Sequence, residues 1–327
     1  MKALVTGSAG HLGEALVRTL ANLNHQVVGF DIQDSDFTRE VGSITDRAQI
    51  KRAMRGVDAV FHAATLHKPH IATHRKQDFL DVNLTGTLNL LEEATAAGVK
   101  SFIYTSTTSV FGDALTPQPG APAAWVTENV TPEPKNIYGV TKAAAEDLCA
   151  VFSRNHGLPC IVLRTSRFFP EIDDNRTARE SFADDNGKVN ELLYRRVDIE
   201  DAVGAHLLAC KRAPMLGFRR YIVSATTPIQ ISDLAELRED AARVVRRYAP
   251  EYEVEYRARG WRMIPSIDRV YVNQRARDEL DWHPRYDFRH AIERLRAGLA
   301  PRSELAQVVG SKGDHAAAFA DGPYPVE

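Results

Sequence analysis

Cysteine is scarce in this chain, and its scarcity narrows the class of protein. The 327 residues include three cysteines, Cys149, Cys160 and Cys210, which are widely spaced and form no C-x-x-C motif. Small secreted domains that depend on disulfides are rich in cysteine, and structural zinc sites commonly use closely spaced cysteines. We therefore expect reduced, mostly buried thiols in a cytoplasmic protein, with no disulfide framework and no metal site.

An excess of charge of either sign is also absent. Lys and Arg total 41 against 43 Asp and Glu, which gives a net charge of −2. Binding to nucleic acid or to an anionic membrane normally requires a basic surface, so neither partner is predicted. No apolar run is long enough to span a bilayer, and Met1 and Lys2 lead directly into a short apolar segment. We therefore expect neither a membrane span nor a signal peptide.

A glycine-rich turn near the N-terminus is the first motif with a chemical meaning. The apolar segment 2–6 is typical of a buried strand, and it leads through Gly-x-x-Gly-x-x-Gly at 7–13 into a helical pattern over 14–20. In this arrangement the glycines permit a tight turn, a close approach of phosphates to the backbone, and close packing of helix on strand. The turn therefore predicts a dinucleotide site, with these contacts: Gly7, Gly10, His11, Leu12 and Gly13.

An acidic residue at the end of the second predicted strand indicates which dinucleotide is bound. Segment 26–30 reads as a strand, and Asp31 follows it about 20 residues beyond the glycines. At that position a carboxylate accepts hydrogen bonds from the adenosine ribose hydroxyls and would repel a 2′-phosphate. We therefore predict NAD rather than NADP as the cofactor.

Strand and helix patterns alternate along the first 225 residues. Further strands are predicted at 58–64 and 100–107, with a helical pattern over 83–94 between them. Such alternation predicts a doubly wound parallel sheet with ligands at the carboxyl ends of its strands. Ala63 and Ala64 lie at one such end, where small side chains permit either the approach of a cofactor or close packing.

Tyr138 and Lys142 are four residues apart at the start of an alanine-rich helical pattern. Residues with this spacing share one helix face, so a phenol and an ammonium would lie side by side. A neighbouring positive charge lowers the pKa of a tyrosine, which could then exchange a proton with a substrate hydroxyl near neutral pH. A Tyr-x-x-x-Lys spacing alone is common by chance, and the other motifs give it weight.

These motifs occur in an order that resembles a known family. The chain resembles the extended short-chain dehydrogenase/reductases, in particular the NAD-dependent epimerase/dehydratase family. The matching segments are Thr6 to Gly13, Asp31, Phe61 to Ala64, Val82 to Thr87, Ser106 to Gly112, Tyr138 to Lys142, Leu163-Arg164 and Glu279 to Pro284. In the last segment Asp281 stands where the family usually has glycine.

The resemblance implies a role for each matched residue. It assigns Thr107 to the hydrogen bond with the reacting oxygen of the substrate, and Tyr138 to acid/base catalysis. It assigns Lys142 to the nicotinamide ribose and to lowering the pKa of Tyr138. Further cofactor contacts implied by the resemblance are Ser43 and Ile44 near the adenine, with Ala63, Ala64 and Asn83 beside the nucleotide.

Two departures from the family concern the substrate. Members that act on nucleotide sugars commonly have Asn where this chain has Arg167, and a basic segment before their Val-Asp-Asp-like motif binds the diphosphate. Here Arg195 and Arg196 are displaced from that pattern by about one residue. We predict that Arg167 and Arg195, with His67, bind an anionic part of the substrate.

The segment that contains His67, His70 and His74 follows the predicted strand 58–64. Three alternatives remain open for it: a metal site, a solvated loop, or contacts of His67, Lys68 or His70 with an anionic substrate. No nearby carboxylate or cysteine completes a recognisable metal-binding set, so no metal is predicted.

The predicted architecture is a Rossmann-type doubly wound parallel sheet with a smaller C-terminal α/β substrate domain. We assign residues 1–165 and 197–225 to the NAD-binding domain, and residues 166–196 and 226–327 to the substrate-binding domain. In the second domain we expect polar loops over 168–189 and one helix over 231–248 with Ser232 as its N-cap. Asp287 should cap a final helix over 288–299, and the tail from Gly310 should be a loop.

These observations predict an NAD-dependent enzyme that oxidises a secondary hydroxyl. The resemblance favours a nucleotide-sugar epimerase of the UDP-glucose 4-epimerase type. The alternatives are a dehydrogenase or reductase of a small sugar acid, lactone or other alcohol, and a catalytically silent NAD-binding regulatory protein. Dehydration is disfavoured because Thr108 and Ser109 stand where the family's dehydratases tend to have an acidic pair. The resemblance also implies a homodimer.

Overall fold

The computed structural model describes residues 1–173 and 175–313. Nine strands occur in this part of the chain: β1 (Lys2–Thr6), β2 (Gln26–Asp31), β3 (Glu40–Val41), β4 (Ala59–His62), β5 (Ser101–Thr107), β6 (Ala124–Val126), β7 (Cys160–Thr165), β8 (Phe218–Val223) and β9 (Arg269–Tyr271). The helices α1 to α8 are His11–Asn22, Arg47–Ala53, Lys76–Phe79, Thr87–Ala96, Ile137–His156, Arg176–Ser181, Asp184–Glu191 and Ile199–Leu216. The helices α9 to α14 are Leu234–Glu239, Ala241–Tyr248, Tyr252–Arg259, Gln274–Leu280, Phe288–Arg296 and Glu304–Val309.

The predicted doubly wound parallel sheet is confirmed. Within the described residues seven strands pair in the order β3-β2-β1-β4-β5-β7-β8, and every pairing is parallel. The chain runs outward on one side of β1 and then resumes on the other side at β4. Ligands of doubly wound sheets bind at this reversal, outside the carboxyl ends of the strands.

Both faces of the sheet are covered, which explains why the strands read as continuous apolar runs. Side chains alternate along each strand, so Ala3 and Val5 pack with α1 and α8, whereas Leu4 packs with α2, α4 and α5. Burial on both faces favours apolar residues at every position of such a strand.

A third cluster of buried residues lies in the C-terminal part of the described chain. It joins α7 with α9, α10, α11 and α13, and its largest fully buried side chain is Phe288. The short strands β6 and β9 pair in parallel beside it. No motif marked these three-residue strands, because their pairing depends on contacts between distant parts of the chain.

Two predictions about the C-terminal helices are wrong. The single helix expected over 231–248 is interrupted at Asp240, which accepts a hydrogen bond from the amide of Arg243 and so caps α10. Gln230, not Ser232, is the N-cap of the short 3₁₀ segment that precedes α9. The helix capped by Asp287 ends at Arg296 and is not the last one, because Ser303 caps α14.

The loops expected over 168–189 and after Gly310 have mixed outcomes. Helix α6 lies within the first segment and α7 begins in it, so the prediction of loops there is wrong in part. Residues 310–313 are irregular, as predicted, and residues 314–327 lie outside the described part of the chain.

Asp281, at the position where glycine is usual, has the left-handed backbone conformation. It ends α12 with φ of +60°, a region that costs non-glycine residues more than glycine. We expect Asp281→Gly to raise the free energy of unfolding by about 0.5–1 kcal/mol, measured by urea denaturation.

Asn24 provides the comparison for this substitution, because it has φ of +59° in a separate turn. Asparagine tolerates this conformation better than most residues, so Asn24→Gly should stabilise the protein less. A loss of stability in Asp281→Gly would contradict the argument from backbone strain.

Candidate functional site

The glycine turn lies between β1 and α1 at the carboxyl edge of the sheet. Gly7 has φ of +75°, and a Cβ atom there would lie 2.7 Å from the amide nitrogen of Ala64. A Cβ at Gly13 would lie 1.8 Å from the carbonyl oxygen of Gly7. Glycine is therefore required at both positions, by the turn and by the close approach of backbone to backbone.

The first turn of α1 fits the pyrophosphate of a dinucleotide. Gly10 is the N-cap of α1 and has no side chain to accept from the first amides of the helix. These N–H groups and the helix dipole form an anion-binding site of the kind that holds phosphates. The structure therefore has the strand, tight turn and helix N-terminus that the glycine motif predicts.

Asp31 is the last residue of β2 and lies beside the glycine turn. Its carboxylate accepts hydrogen bonds from the amides of Ala9, at 3.0 Å, and Gln33, at 2.9 Å. These two hydrogen bonds hold the carboxylate at the glycine turn, where an adenosine ribose would reach it.

We expect Asp31→Asn to reduce the preference for NAD over NADP. The amide retains an oxygen that can accept from Ala9, but it no longer repels a 2′-phosphate and is a weaker acceptor for ribose hydroxyls. The NAD Kd should rise about tenfold, and the NADP Kd should fall; titration calorimetry with both cofactors measures the ratio. Asp34→Asn removes the same charge from an exposed residue of this loop and should leave both values unchanged.

A buried hydrogen-bond network supports the backbone around Ala63 and Ala64. His62 bonds Thr6 through Nδ1, at 2.8 Å, and Thr87 through Nε2, at 2.9 Å. Burial lowers the pKa of His62 well below its usual value, so its imidazole is neutral. This histidine therefore links β1, β4 and α4 and is not a proton donor for the substrate.

Asn83 lies in an unpredicted π-helical segment, Leu80–Gly86, that precedes α4. Its side-chain amide donates to the carbonyl of Leu66 and the hydroxyl of Thr141, and its oxygen accepts from Leu66 and Thr65. Asn83 therefore ties the chain after β4 to α5. π-Helical turns occur often at functional sites because they redirect side chains from the regular helical spacing.

Ser43 and Ile44 lie at the predicted adenine end of the site. Ile44 is buried against Gly86, and its carbonyl accepts from the side chain of Asn89. The Ser43 hydroxyl bonds the hydroxyl of Thr45 at 2.8 Å. Their assignment to the adenine stays a prediction.

Tyr138 and Thr107 are adjacent in the structure. Asn136 caps α5 by accepting from the amide of Gly139, at 3.0 Å, so Tyr138 lies in the first turn of this helix. Thr107 is the last residue of β5, and its hydroxyl accepts a hydrogen bond from the amide of Ser109 at 3.1 Å. The Thr107 side chain is close enough to the Tyr138 phenol to lower its pKa. A Cβ at Gly139 would lie 2.9 Å from the carbonyl of Ser109, so glycine lets the start of α5 pack closely against the chain after β5.

Lys142 lies one turn further along α5. The prediction that it lowers the pKa of Tyr138 is wrong. Its Nζ donates to the carbonyl of Thr105, at 2.6 Å, and lies 4.1 Å from the centre of the Tyr104 ring. Burial raises the pKa of Tyr138 to about 12, and the neighbouring Thr107 side chain opposes that change. Burial lowers the pKa of Lys142 to about 7. Burial therefore changes the two pKa values more than the attraction between a phenolate and an ammonium, which the shared helix face suggested.

The lowered pKa of Lys142 predicts how the stability of the cofactor-free protein depends on pH. Between about pH 7 and pH 10 the unfolded chain carries the lysine proton and the folded chain has lost it, so stability rises with pH. Relative to Lys142→Met, the wild type should gain on the order of 2 kcal/mol between pH 7 and pH 9. Urea denaturation of both proteins at each pH measures this difference, and parallel curves would contradict it.

Arg167 and Arg195 are close together, but a carboxylate that sequence reasoning missed lies between them. Glu191, the last residue of α7, pairs with Arg195 at 2.7 Å, Arg196 at 2.8 Å and Arg167 at 3.3 Å. Burial would raise the pKa of Glu191, but the three guanidinium groups lower it to about 2. The expected basic pocket therefore contains its own anion. The sequence did contain a sign of this pairing, because Glu191 precedes Arg195 by four residues, and residues with that spacing on a helical turn can pair.

His67 and its neighbours form an ordered, half-buried segment. His67 and His70 cap each other's backbone at the start of the 3₁₀ segment Lys68–Ala72, which argues against a fully solvated loop. The His67 ring stacks on Phe169 with centroids 5.6 Å apart. No group of three or more His, Cys, Asp or Glu side chains suited to a metal ion occurs in the described residues.

Phe169 and Glu171 belong to a further set of contacts that the sequence did not reveal. Phe169 also meets the His11 ring edge-on, and His11 bonds the Glu171 carboxylate at 2.7 Å. Burial would raise the pKa of Glu171, but His11 and the groups of Ser311 and Lys312 lower it to about 2. The loop after β7 therefore closes over the glycine turn and holds the chain at 311–313.

No helix among residues 1–173 and 175–313 combines the length and apolar character that crossing a bilayer requires.

The three cysteines are free thiols and all are buried, as predicted.

Comparisons with known proteins identify the family of the chain. The model of the NAD-dependent epimerase/dehydratase family matches residues 3–214. A UDP-glucose 4-epimerase from Streptomyces lividans is 25% identical over 315 residues, which cover 86% of this chain and 91% of the relative. Sterol demethylase protein B from Methylococcus capsulatus is 36% identical over 155 residues, or 45% of each chain.

A solved structure supports the fold. A short-chain dehydrogenase/reductase superfamily protein from Agrobacterium tumefaciens with bound NAD has a TM-score of 0.64 at 22% identity, covering 91% of this chain and 98% of that one. The chain spans about half the length of several curated relatives that it matches, 40 to 55%. The chain belongs to the NAD-dependent epimerase/dehydratase family, a family of NAD-dependent enzymes of the extended short-chain dehydrogenase/reductase type.

Proposed function

We propose that this protein is an NAD-dependent oxidoreductase that acts on a secondary hydroxyl of a sugar. The observation that carries the proposal is the position of Thr107 beside Tyr138, one helical turn from Lys142 at the carboxyl edge of the sheet. Bound NAD⁺ supplies a hydride acceptor. In its phenolate form Tyr138 would take the hydroxyl proton as the C–H hydride leaves, Thr107 would orient the reacting oxygen, and Lys142 would bind the nicotinamide ribose.

The fate of the hydride decides the net reaction. Its return to the opposite face of the ketone gives epimerisation with no accumulation of NADH, whereas release of NADH gives a net dehydrogenase. Thr108 and Ser109, in place of an acidic pair, support both of these outcomes over dehydration.

A nucleotide sugar is the first candidate substrate. The support is the similarity to a UDP-glucose 4-epimerase along 86% of the chain, together with neighbours of the same fold that were solved with UDP-glucose. In our proposal His67 contacts the anionic part of the substrate with Arg167 and Arg195.

A small sugar acid is the second candidate, and one observation favours it. Glu191 already neutralises part of the charge of Arg167, Arg195 and Arg196, so less charge is left for a diphosphate. A lactone or other alcohol is also compatible with the catalytic groups.

A thermal-shift panel on NAD-saturated protein tests the two substrate classes. UDP-, GDP- and dTDP-sugars are compared with free sugars and sugar acids, because a ligand that binds only the folded state raises the Tm. A ligand that raises the Tm is then incubated with NAD⁺, and NADH absorbance and product stereochemistry are followed. No turnover of any binding ligand would favour the silent regulatory protein instead.

The remaining proposals concern the two domains, the cellular compartment and the oligomeric state. We propose that residues 166–196 and 226–327 form the substrate-binding part, and residues 1–165 and 197–225 the NAD-binding part. A cytoplasmic homodimer is also proposed, supported by the buried free thiols and by the exposed apolar side chain of Val140 on α5. Light scattering measures the molar mass and checks the dimer.

A further inference from the structure

Glu171 joins three segments that are far apart in the chain. It lies in the loop after β7, and its Oε1 hydrogen-bonds Nε2 of His11 at 2.7 Å. The same oxygen accepts from the hydroxyl of Ser311 and from the amide of Lys312, both at 2.9 Å. The glycine turn, the loop after β7 and the chain at 311–313 therefore meet at one carboxylate.

This meeting point is largely shielded from water. The side chains of His11 and Glu171 are 7% and 13% exposed. Burial would raise the pKa of Glu171, but His11 and the groups of Ser311 and Lys312 lower it to about 2, so the carboxylate is ionised and can only accept. Nε2 of His11 must therefore be the donor. Hydrogen bonds to an ionised carboxylate are stronger than those between neutral groups.

The loop after β7 crosses the crevice at the reversal of strand order. Phe169 meets the ring of His11 edge-on, with centroids 5.3 Å apart, and stacks on the ring of His67 at 5.6 Å. His11 follows β1 and His67 follows β4, and these two strands are neighbours in the sheet. Doubly wound folds bind their dinucleotides in the crevice at this reversal, and the first turn of α1 fits the pyrophosphate. The loop therefore bridges the two sides of the cofactor crevice.

Further bonds hold this bridge at both of its ends. On one side the carbonyl of Phe169 accepts from Nη1 of Arg196 at 3.0 Å. On the other side Nζ of Lys312 bonds the carboxylate of Glu14, which lies in the first turn of α1. The chain at 311–313 is therefore attached to α1 directly as well as through Glu171.

We propose that residues 169–171 and 311–313 form a clasp that closes over bound NAD, and that Glu171 is the positioning residue that keeps the clasp closed. Release of the cofactor then requires the contact between Glu171 and His11 to open. The inference goes beyond the proposed reaction, because it concerns the cofactor and holds for any substrate.

The rate of NADH release tests the clasp without any substrate, so its outcome is independent of the proposed reaction. Stopped-flow fluorescence follows NADH as excess NAD⁺ displaces it, and titration calorimetry gives its Kd. Glu171→Gln keeps the size of the side chain but replaces the ionised acceptor with a neutral one. Because this weakens the bonds to His11 and to the chain at 311–313, release should be about tenfold faster and Kd about tenfold higher. The association rate should change by less than about twofold.

Two further variants show whether the contact itself is responsible. His11→Phe keeps an aromatic ring against Phe169 but removes the donor, so release should again be about tenfold faster. The double variant with Glu171→Gln should show less than the product of the two effects, because both changes weaken the same bond. Ser311→Ala removes one of the other donors and should speed release about threefold, which keeps the test valid if Glu171→Gln fails to fold.

Hydrogen exchange gives a measurement that does not depend on activity. In cofactor-free Glu171→Gln the amides of Lys312 and Gly313 should exchange faster than in the wild type, because their acceptor is weaker. The amides of α13 should not change. Bound NAD should slow the exchange of the same two amides in the wild type, because the clasp has to stay closed over it.

Glu180→Gln is the matched control, because Glu180 is an exposed carboxylate on α6 that pairs with Arg176. It should change neither the release rate nor the Kd. The inference is overturned if neither Glu171→Gln nor Ser311→Ala releases NADH faster, or if Glu180→Gln has as large an effect. A lower Kd in Glu171→Gln would also overturn it, because the loop would then obstruct the cofactor site and not close over it.

Discussion

Replacement of Tyr138 by phenylalanine is expected to lower kcat by roughly 10³–10⁴-fold with the substrate identified by the binding panel. In the proposed reaction the hydroxyl of Tyr138, beside Thr107, transfers the proton, and phenylalanine retains the ring but cannot accept or donate that proton. The affinity for NAD should stay within about twofold, because the glycine turn and Asp31 are unchanged. Stopped-flow absorbance of NADH and calorimetry with NAD measure the two quantities.

Two further variants make this prediction specific. Thr107→Val removes the hydroxyl beside Tyr138 but leaves the phenol, so kcat should fall less, by about 10- to 100-fold. Tyr256→Phe removes a hydroxyl that bonds Asn190 at 2.8 Å within the C-terminal core, and it should leave kcat unchanged. Retention of more than a tenth of wild-type kcat in Tyr138→Phe would exclude Tyr138 as the acid/base residue.

The parts of the fold that depend on local patterns were predictable from the sequence. Apolar runs and the glycine turn identified β1, β2, α1 and their parallel arrangement. Asp31 ends β2 beside the turn, as its spacing predicted. These features depend on backbone conformation and on burial of both sheet faces, which residues close together in the sequence determine.

Features that arise from contacts between distant residues were not predictable in the same way. The pairing of β6 with β9 joins segments more than 140 residues apart, and the bond from His11 to Glu171 joins residues 160 apart. The pKa of Tyr138 was predicted in the wrong direction, because the helical spacing reveals the charge of Lys142 but not the depth of burial. Glu191 was missed for a related reason: three arginines suggested an open anion site, and only the fold places a carboxylate among them.

One buried carboxylate connects α5, the helix that carries Tyr138, to the sheet. Glu146 of α5 accepts hydrogen bonds from Ser106 of β5, from Arg164 of β7 and from Arg220 of β8, all within 3.2 Å. Its side chain and that of Arg164 are 2% and 4% exposed. Arg164 is therefore a structural ion-pair partner of Glu146. Glu146 also lies one turn after Lys142 and raises the pKa that burial lowers.

We expect Glu146→Ala to lower the free energy of unfolding by about 3–5 kcal/mol, because it leaves the charge of Arg164 buried without its partner. Asp147→Ala is the control, since Asp147 also pairs with Arg220 but is 79% exposed and should cost no more than about 1 kcal/mol. The double variant Glu146→Leu/Arg164→Met removes both charges and should recover much of the loss, because apolar side chains of similar size can replace a buried ion pair. Urea denaturation measures all three variants. Equal losses in Glu146→Ala and in the double variant would mean that the hydrogen bonds of Glu146 to Ser106 and Arg220, and not the unpaired charge, determine the stability of this contact.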